Sequence, residues 1–67
     1  MSGHSAGRQK SGRDLAAERV RRSVRAIRLA ERMGVSRQRV TAIEQLHRVR
    51  PELVARYFEA LDELASA

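Results

Sequence analysis

A single glycine decides how the middle of this chain can fold. The stretch from Leu29 to Glu44 reads LAERMGVSRQRVTAIE, a helical apolar pattern that stops at Gly34 and a second one that begins Ser-Arg-Gln-Arg. Ile27, Ala30 and Met33, with Leu29 beside them, fall at i, i+3 and i+6 and predict a helix from Arg25 or Ala26 to Met33. At Gly34 the backbone can take a positive φ without steric cost and reverse direction. Val35 can pack into the corner, and Ser36 offers an N-cap oxygen to a helix from Arg37 to Gln45 or Leu46. That helix would bury Val40 and Ile43 and expose a polar face starting at Arg37 and Gln38.

The flanks read as helices too. Asp14 is the expected cap of a first helix with Leu15, Ala16, Val20 and Val24 as its apolar positions, Glu18 lying four residues before Arg22 for local pairing. Ser23 can end that helix or cap the next. His47 to Arg50 reads as a basic loop. Pro51 suits a helix N1 position with Glu52 in the first turn, and the last helix, to about Leu64, carries Leu53, Val54, Tyr57, Phe58, Leu61 and Leu64. Tyr57 and Phe58 are expected in the core, the Tyr57 hydroxyl needing only water or an arginine as partner. Residues 1–13, MSGHSAGRQKSGR, have no apolar periodicity and predict a disordered basic arm. Residues 14–67 then form one all-α domain.

At 67 residues with no cysteine, such a domain has a single small core and no disulfide to support it. His4 and His47 are far apart and lack acidic neighbours at ligand spacing, so no metal site is expected. No apolar run approaches the ~20 residues that span a bilayer, which predicts no membrane partner and a cytoplasmic protein. No nucleophile, base and orienting group stand within reach of one another and no phosphate loop occurs, so neither an enzyme nor a cofactor is expected.

Charge is segregated. Thirteen of the fourteen basic residues are arginine, a side chain suited to forked contacts with phosphate and base edges. Residues 1–50 hold thirteen basic and four acidic side chains, whereas residues 51–67 hold Arg56 against Glu52, Glu59, Asp62 and Glu63. A GC-rich coding genome raises arginine content but does not sort charge along a chain. The sorting implies one surface facing a polyanion and another serving a different contact.

The spacing of Leu29, Ala30, Met33, Gly34, Val35, Val40 and Ile43 resembles the helix-turn-helix of the phage-repressor and Cro family, also called XRE-type regulators. The segment RYFEALDEL, Arg56 to Leu64, is similar to the closing helix of XRE-type antitoxins. The resemblance covers about Leu15 to Leu64 and implies a small four- to five-helix lambda-repressor-like domain. It also implies a pair between Arg19 on the first helix and Glu44 at the end of the recognition helix, a structural brace. Two positions depart from the family pattern: Ala26 stands where many relatives have glutamine, and Gln45-Leu46 where a glycine is usual.

Such a helix enters the major groove by its N-terminal end. The resemblance then places Arg37, Gln38, Thr41 and Ala42 at base edges, with Arg37 fitting guanine, Gln38 adenine and Ala42 a thymine methyl. Arg25, Arg28, Ser36, Arg39, Arg48 and Arg50 are the phosphate candidates. Specificity in this class usually comes from two copies on two half-sites, and Leu53, Leu61 and Leu64 on the acidic last helix are candidates for the homodimer surface. The expected function is a sequence-specific double-stranded DNA-binding regulator, a repressor of bacterial or phage type at the nucleoid. Two alternatives stay open. One is an adaptor or antitoxin that docks a toxin or other protein through its acidic helix. The other is a non-specific nucleoid-type binder whose affinity falls with salt for every sequence alike.

Overall fold

The computed structural model describes residues 10–66. Four helices account for most of them: α1, Gly12–Arg21; α2, Ala26–Met33; α3, Arg37–Glu44; and α4, Pro51–Ser66. Helices of eight or ten residues are unstable alone in water, so packing holds them. α3 packs on α1 and α2, and α4 on α1 and α2. Leu15, Leu29, Ala30, Val40, Ile43, Val49, Tyr57, Ala60 and Leu61 make up the core they share.

The turn between α2 and α3 follows the glycine argument. Gly34 has φ 76°, Val35 N–H donates to Ala30 O at 2.9 Å and Gly34 N–H donates to Glu31 O at 3.2 Å. These two bonds make the Schellman pattern that satisfies the last carbonyls of a helix. Ser36 Oγ accepts the Arg39 N–H at 3.0 Å and opens α3. α2 buries Leu29 and Ala30, with Ala26 and Met33 packed against the core. Its inner stripe therefore starts at Ala26 in an i, i+3, i+4, i+7 register, and Ile27, expected inside, is 43% exposed.

The start of α1 differs from the sequence expectation. Its N-cap is Ser11, not Asp14: Ser11 Oγ accepts the Asp14 N–H and the Asp14 carboxylate accepts the Ser11 N–H, both at 3.1 Å, a reciprocal capping box. The fold thus includes residues 10–13 of the expected arm, while residues 1–9 lie outside the described residues. Gly12 is buried and donates its N–H to Leu46 O at 2.7 Å, and Val49 N–H donates to Lys10 O at 2.9 Å. These bonds tie the beginning of α1 to the segment leaving α3. The inner stripe of α1 runs Gly12, Leu15, Arg19, Arg22, so Val20, expected in the core, faces out at 64% exposure. Arg22 is the C-cap of α1, Ser23 takes a positive φ of 59°, and Arg25, not Ser23, is the N-cap of α2.

Candidate nucleic-acid interface

α3 is fixed at both ends and leaves one face free. Val40 and Ile43 are buried beneath it, and its last residue, Glu44, is held by two partners remote in sequence. Arg19 Nε and Nη2 donate to Glu44 Oε2 and Oε1 at 2.8 and 3.1 Å, a bidentate pair, while Arg19 Nη1 donates to Val24 O at 2.9 Å. The side chains are only 15% and 12% exposed, so the pair is largely shielded from solvent. Tyr57 donates its hydroxyl to Glu44 Oε2 at 2.5 Å and lies 3.1 Å from Leu15 O. Its acceptor is the carboxylate of the brace, and Arg19, an arginine as the sequence allows, is bound to that same carboxylate.

Charge states follow from this geometry. The hydrogen bond from Arg19 to Glu44 raises the guanidinium pKa above its ordinary value, against the opposing effect of burial. Burial, then the hydrogen bond to Glu44, raises the Tyr57 phenol well above the ordinary tyrosine range. The network is therefore one cation, one anion and one neutral hydroxyl, each with a partner. It fixes the exit of α3 against α1 and α4.

On the opposite face, Arg37, Gln38, Thr41 and Ala42 are all exposed. Residues three and four apart share a helix face, so Gln38, Thr41 and Ala42 form one surface with Arg37 at its edge. None of these side chains enters a hydrogen bond or ion pair among the described residues. Ser36 is exposed at the start of the same helix; its oxygen serves as the cap, and its hydroxyl proton remains to donate. Arg25 and Arg28 at the start of α2 are exposed, beside a shallow groove they share with Ser23, Val24 and Leu64.

Ion pairing sorts the arginines into two sets. Arg21 pairs with Glu18, Arg22 with Glu18 at 2.8 Å and Asp62 at 2.7 Å, and Arg32 with Glu63 at 2.5 Å. The bonds from Arg21 and Arg22 hold the Glu18 carboxyl below the usual carboxylate range. Arg13, Arg25, Arg28, Arg37, Arg39, Arg48, Arg50 and Arg56 have no acidic partner among the described residues. Two of the four acidic residues of α4, Asp62 and Glu63, are thus engaged by α1 and α2.

The segment from His47 to Arg50 is more than a basic loop. Val49 is 2% exposed, and this anchor sets Arg48 and Arg50 outward on either side of it. An open groove joins them to Arg39, Leu46, Glu52, Leu53 and Arg56. Sequence reasoning missed Gly12, Val49, Leu46 and Arg56. The Ser11–Asp14 spacing was the available signal for the first; a lone valine among arginines gave none for the second.

The dimer candidates do not form one exposed surface. Leu61 is fully buried and belongs to the core, where it closes the domain. Leu53 is half-buried in the arginine-lined groove and Leu64 half-buried beside Arg25 and Arg28. Among the described residues no helix is long and apolar enough to cross a membrane, and no group of three or more His, Cys, Asp or Glu side chains is placed to hold a metal.

Comparison with protein-family models, with curated proteins and with solved structures finds no match.

Proposed function

We propose that this chain is a sequence-specific double-stranded DNA-binding regulator of the phage-repressor and Cro helix-turn-helix class, acting as a repressor, with α3 inserted in the major groove. The observation that carries the reading is the face of α3. Arg37, Gln38, Thr41 and Ala42 stand exposed and unpartnered among the described residues, on a helix whose two ends are held by Ser36 and by the Arg19–Glu44–Tyr57 network. An exposed polar face on a helix anchored at both ends is the geometry a preorganised binding surface needs.

The chemistry of contact follows from the side chains. Arg37 matches the paired acceptors of guanine and Gln38 the acceptor and donor of adenine, each bidentate contact discriminating by ~1–3 kcal/mol. Thr41 and Ala42 lie one turn further along, where a hydroxyl or a methyl meets the next base pair. Arg25, Arg28, Ser36, Arg39, Arg48 and Arg50, all exposed, are the side chains that would supply phosphate contacts to set register. Two copies on two half-sites complete the site. Leu53 and Leu64 both sit beside arginines, so pairing of copies through either depends on DNA to neutralise them. The acidic-helix adaptor reading draws less support, because Asp62 and Glu63 are already spent on Arg22 and Arg32.

Selection of bound duplexes from a random library at physiological salt tests the proposal. Enrichment of a short motif, repeated as a palindrome with half-sites about one helical turn apart, is the expected result. Retention of all sequences alike, with affinity falling steeply with salt, would replace this reading with the nucleoid-type binder.

A further inference from the structure

The groove between the end of α3 and the start of α4 holds more than phosphate contacts require. Arg39, Arg48, Arg50 and Arg56 line it without an acidic partner among the described residues, and Glu52 is its one acidic lining residue. Between them lie Leu46, 45% exposed, and Leu53, half-buried. Leucine side chains make no hydrogen bond or ion pair with a phosphate. Apolar surface rimmed by unpaired charge suits a protein contact as well.

We propose that this groove docks an acidic amphipathic helix of a partner protein, one that lays leucine-like side chains on Leu46 and Leu53 and carboxylates on Arg39, Arg48, Arg50 and Arg56. Charge decides the occupant. A second copy of this chain docking groove to groove would set four arginines against four, whereas an acidic segment is complementary at every rim position. The apolar pair on the floor is what a helix-in-groove contact uses for anchors. The positive end of the α4 dipole, at Pro51 to Leu53, adds to the field a carboxylate would meet. Because Arg39, Arg48 and Arg50 belong to the proposed phosphate set, an occupant of the groove removes them from DNA. The groove is thereby a site at which an acidic partner relieves DNA binding, a consequence that rests on the DNA-binding reading while the docking itself does not.

The probe is a fluorescent designed helix of about 16 residues, some 24 Å long, with leucines along one face and glutamates elsewhere. A control peptide of the same charge has its leucines replaced by serine. Anisotropy is measured on the full chain at physiological salt without DNA. The leucine peptide should saturate and bind at least about tenfold tighter than the control. Leu46→Ser and Arg56→Ala, at exposed positions that leave the fold intact by circular dichroism, should each weaken it about fivefold or more. Equal binding of the two peptides, no binding of either, or indifference to Leu46→Ser would overturn the proposal. So would sedimentation showing that the free chain self-associates through Leu46, since the groove would then be filled by a copy. Adding the peptide to a chain–duplex complex should release the DNA; simultaneous occupancy would overturn the exclusion. Peptide binding by a chain that selects no duplex would uphold the groove and sink only the DNA reading.

Discussion

Replacing Gly12 by alanine should damage this protein more than replacing Gly34, although Gly34 is the glycine that shapes the turn. The two positions ask for glycine for different reasons. A Cβ at Gly34 would meet no atom within 4 Å, so the cost there is only that of a positive φ for an L-residue, ~1–2 kcal/mol. At Gly12 the same atom would overlap the Ile43 carbonyl oxygen and lie 2.5 and 2.6 Å from the Glu44 carbonyl carbon and oxygen. Those are backbone atoms at the end of α3, unable to rotate aside. α1 must therefore retreat from α3, straining the Gly12 N–H bond to Leu46 O. Overpacking costs ~1–3 kcal/mol and a lost hydrogen bond ~1 kcal/mol, against a propensity gain of at most ~1 kcal/mol for alanine in a helix.

The net loss for Gly12→Ala is about 1–3 kcal/mol, and in a domain this small each kcal/mol moves Tm by roughly 4–8 °C. A melting point lower by roughly 4–24 °C is the expected result, read by far-UV circular dichroism with a urea titration for the free energy. Gly34→Ala should lose less. Ordinary propensity predicts the reverse sign at Gly12, because alanine is the better helix former. A Gly12→Ala protein melting at or above the parent would refute the close approach of α1 to α3, and with it the account of how α3 is seated.

Glu44→Ala strands a largely buried arginine and a tyrosine hydroxyl, and should cost on the order of 3 kcal/mol in urea while leaving the preferred duplex unchanged; a shifted preference at full stability would contradict the brace. Tyr57 is the chain's one tyrosine and there is no tryptophan, so phenolate absorbance reports it alone. Its folded pKa is raised, so the stability it contributes is intact below the unfolded value of about 10 and is lost as pH climbs beyond it. Phenolate should thus appear together with loss of helicity, and Tyr57→Phe should flatten the alkaline decline; ionisation with the fold intact would refute the burial argument. Arg37→Ala should erase the preference at one base position with helicity unchanged, whereas Arg48→Ala should weaken all duplexes alike and lower the salt slope by about 1; exchange of these two behaviours would reverse the assignment of base and phosphate contacts.

The parts of this fold that were legible in the sequence are those written within one turn of the chain. Gly34, Ser36 and Pro51 mark their helix boundaries because caps and turns are satisfied by neighbours three to five residues away. Val40, Ile43 and Tyr57 were readable from periodicity. The misplaced residues fail for a common reason: which of two adjacent apolar stripes faces inward depends on the partner helix. Ala26 with Leu29, Ala30 and Met33 fits closely against its neighbours, so the larger Ile27 is left outside.

Arg19, whose pairing with Glu44 only the family resemblance implies, shows why the site is harder to read from periodicity than the fold. On α1 it occupies a position on the inner stripe that periodicity reserves for an apolar side chain, and only Glu44, 25 residues away, makes a charge tolerable there. An apolar residue would fill the space at no desolvation cost. What the bidentate pair adds is direction: its fork holds the Glu44 carboxylate in one orientation, Tyr57 holds the same carboxylate from α4, and the end of α3 is located from two sides. If α3 reads base pairs, that fixing matters more than the free energy of the pair, since a small rotation of an eight-residue helix would carry Arg37 and Gln38 off the bases they address. Gly12 and Val49 act to the same end by a different route, drawing α1 and the following loop onto the end of α3 through backbone contacts. The residues that hold α3 in place are thus spread over residues 10–57, while the proposed base contacts, Arg37, Gln38, Thr41 and Ala42, have no side-chain partner among the described residues.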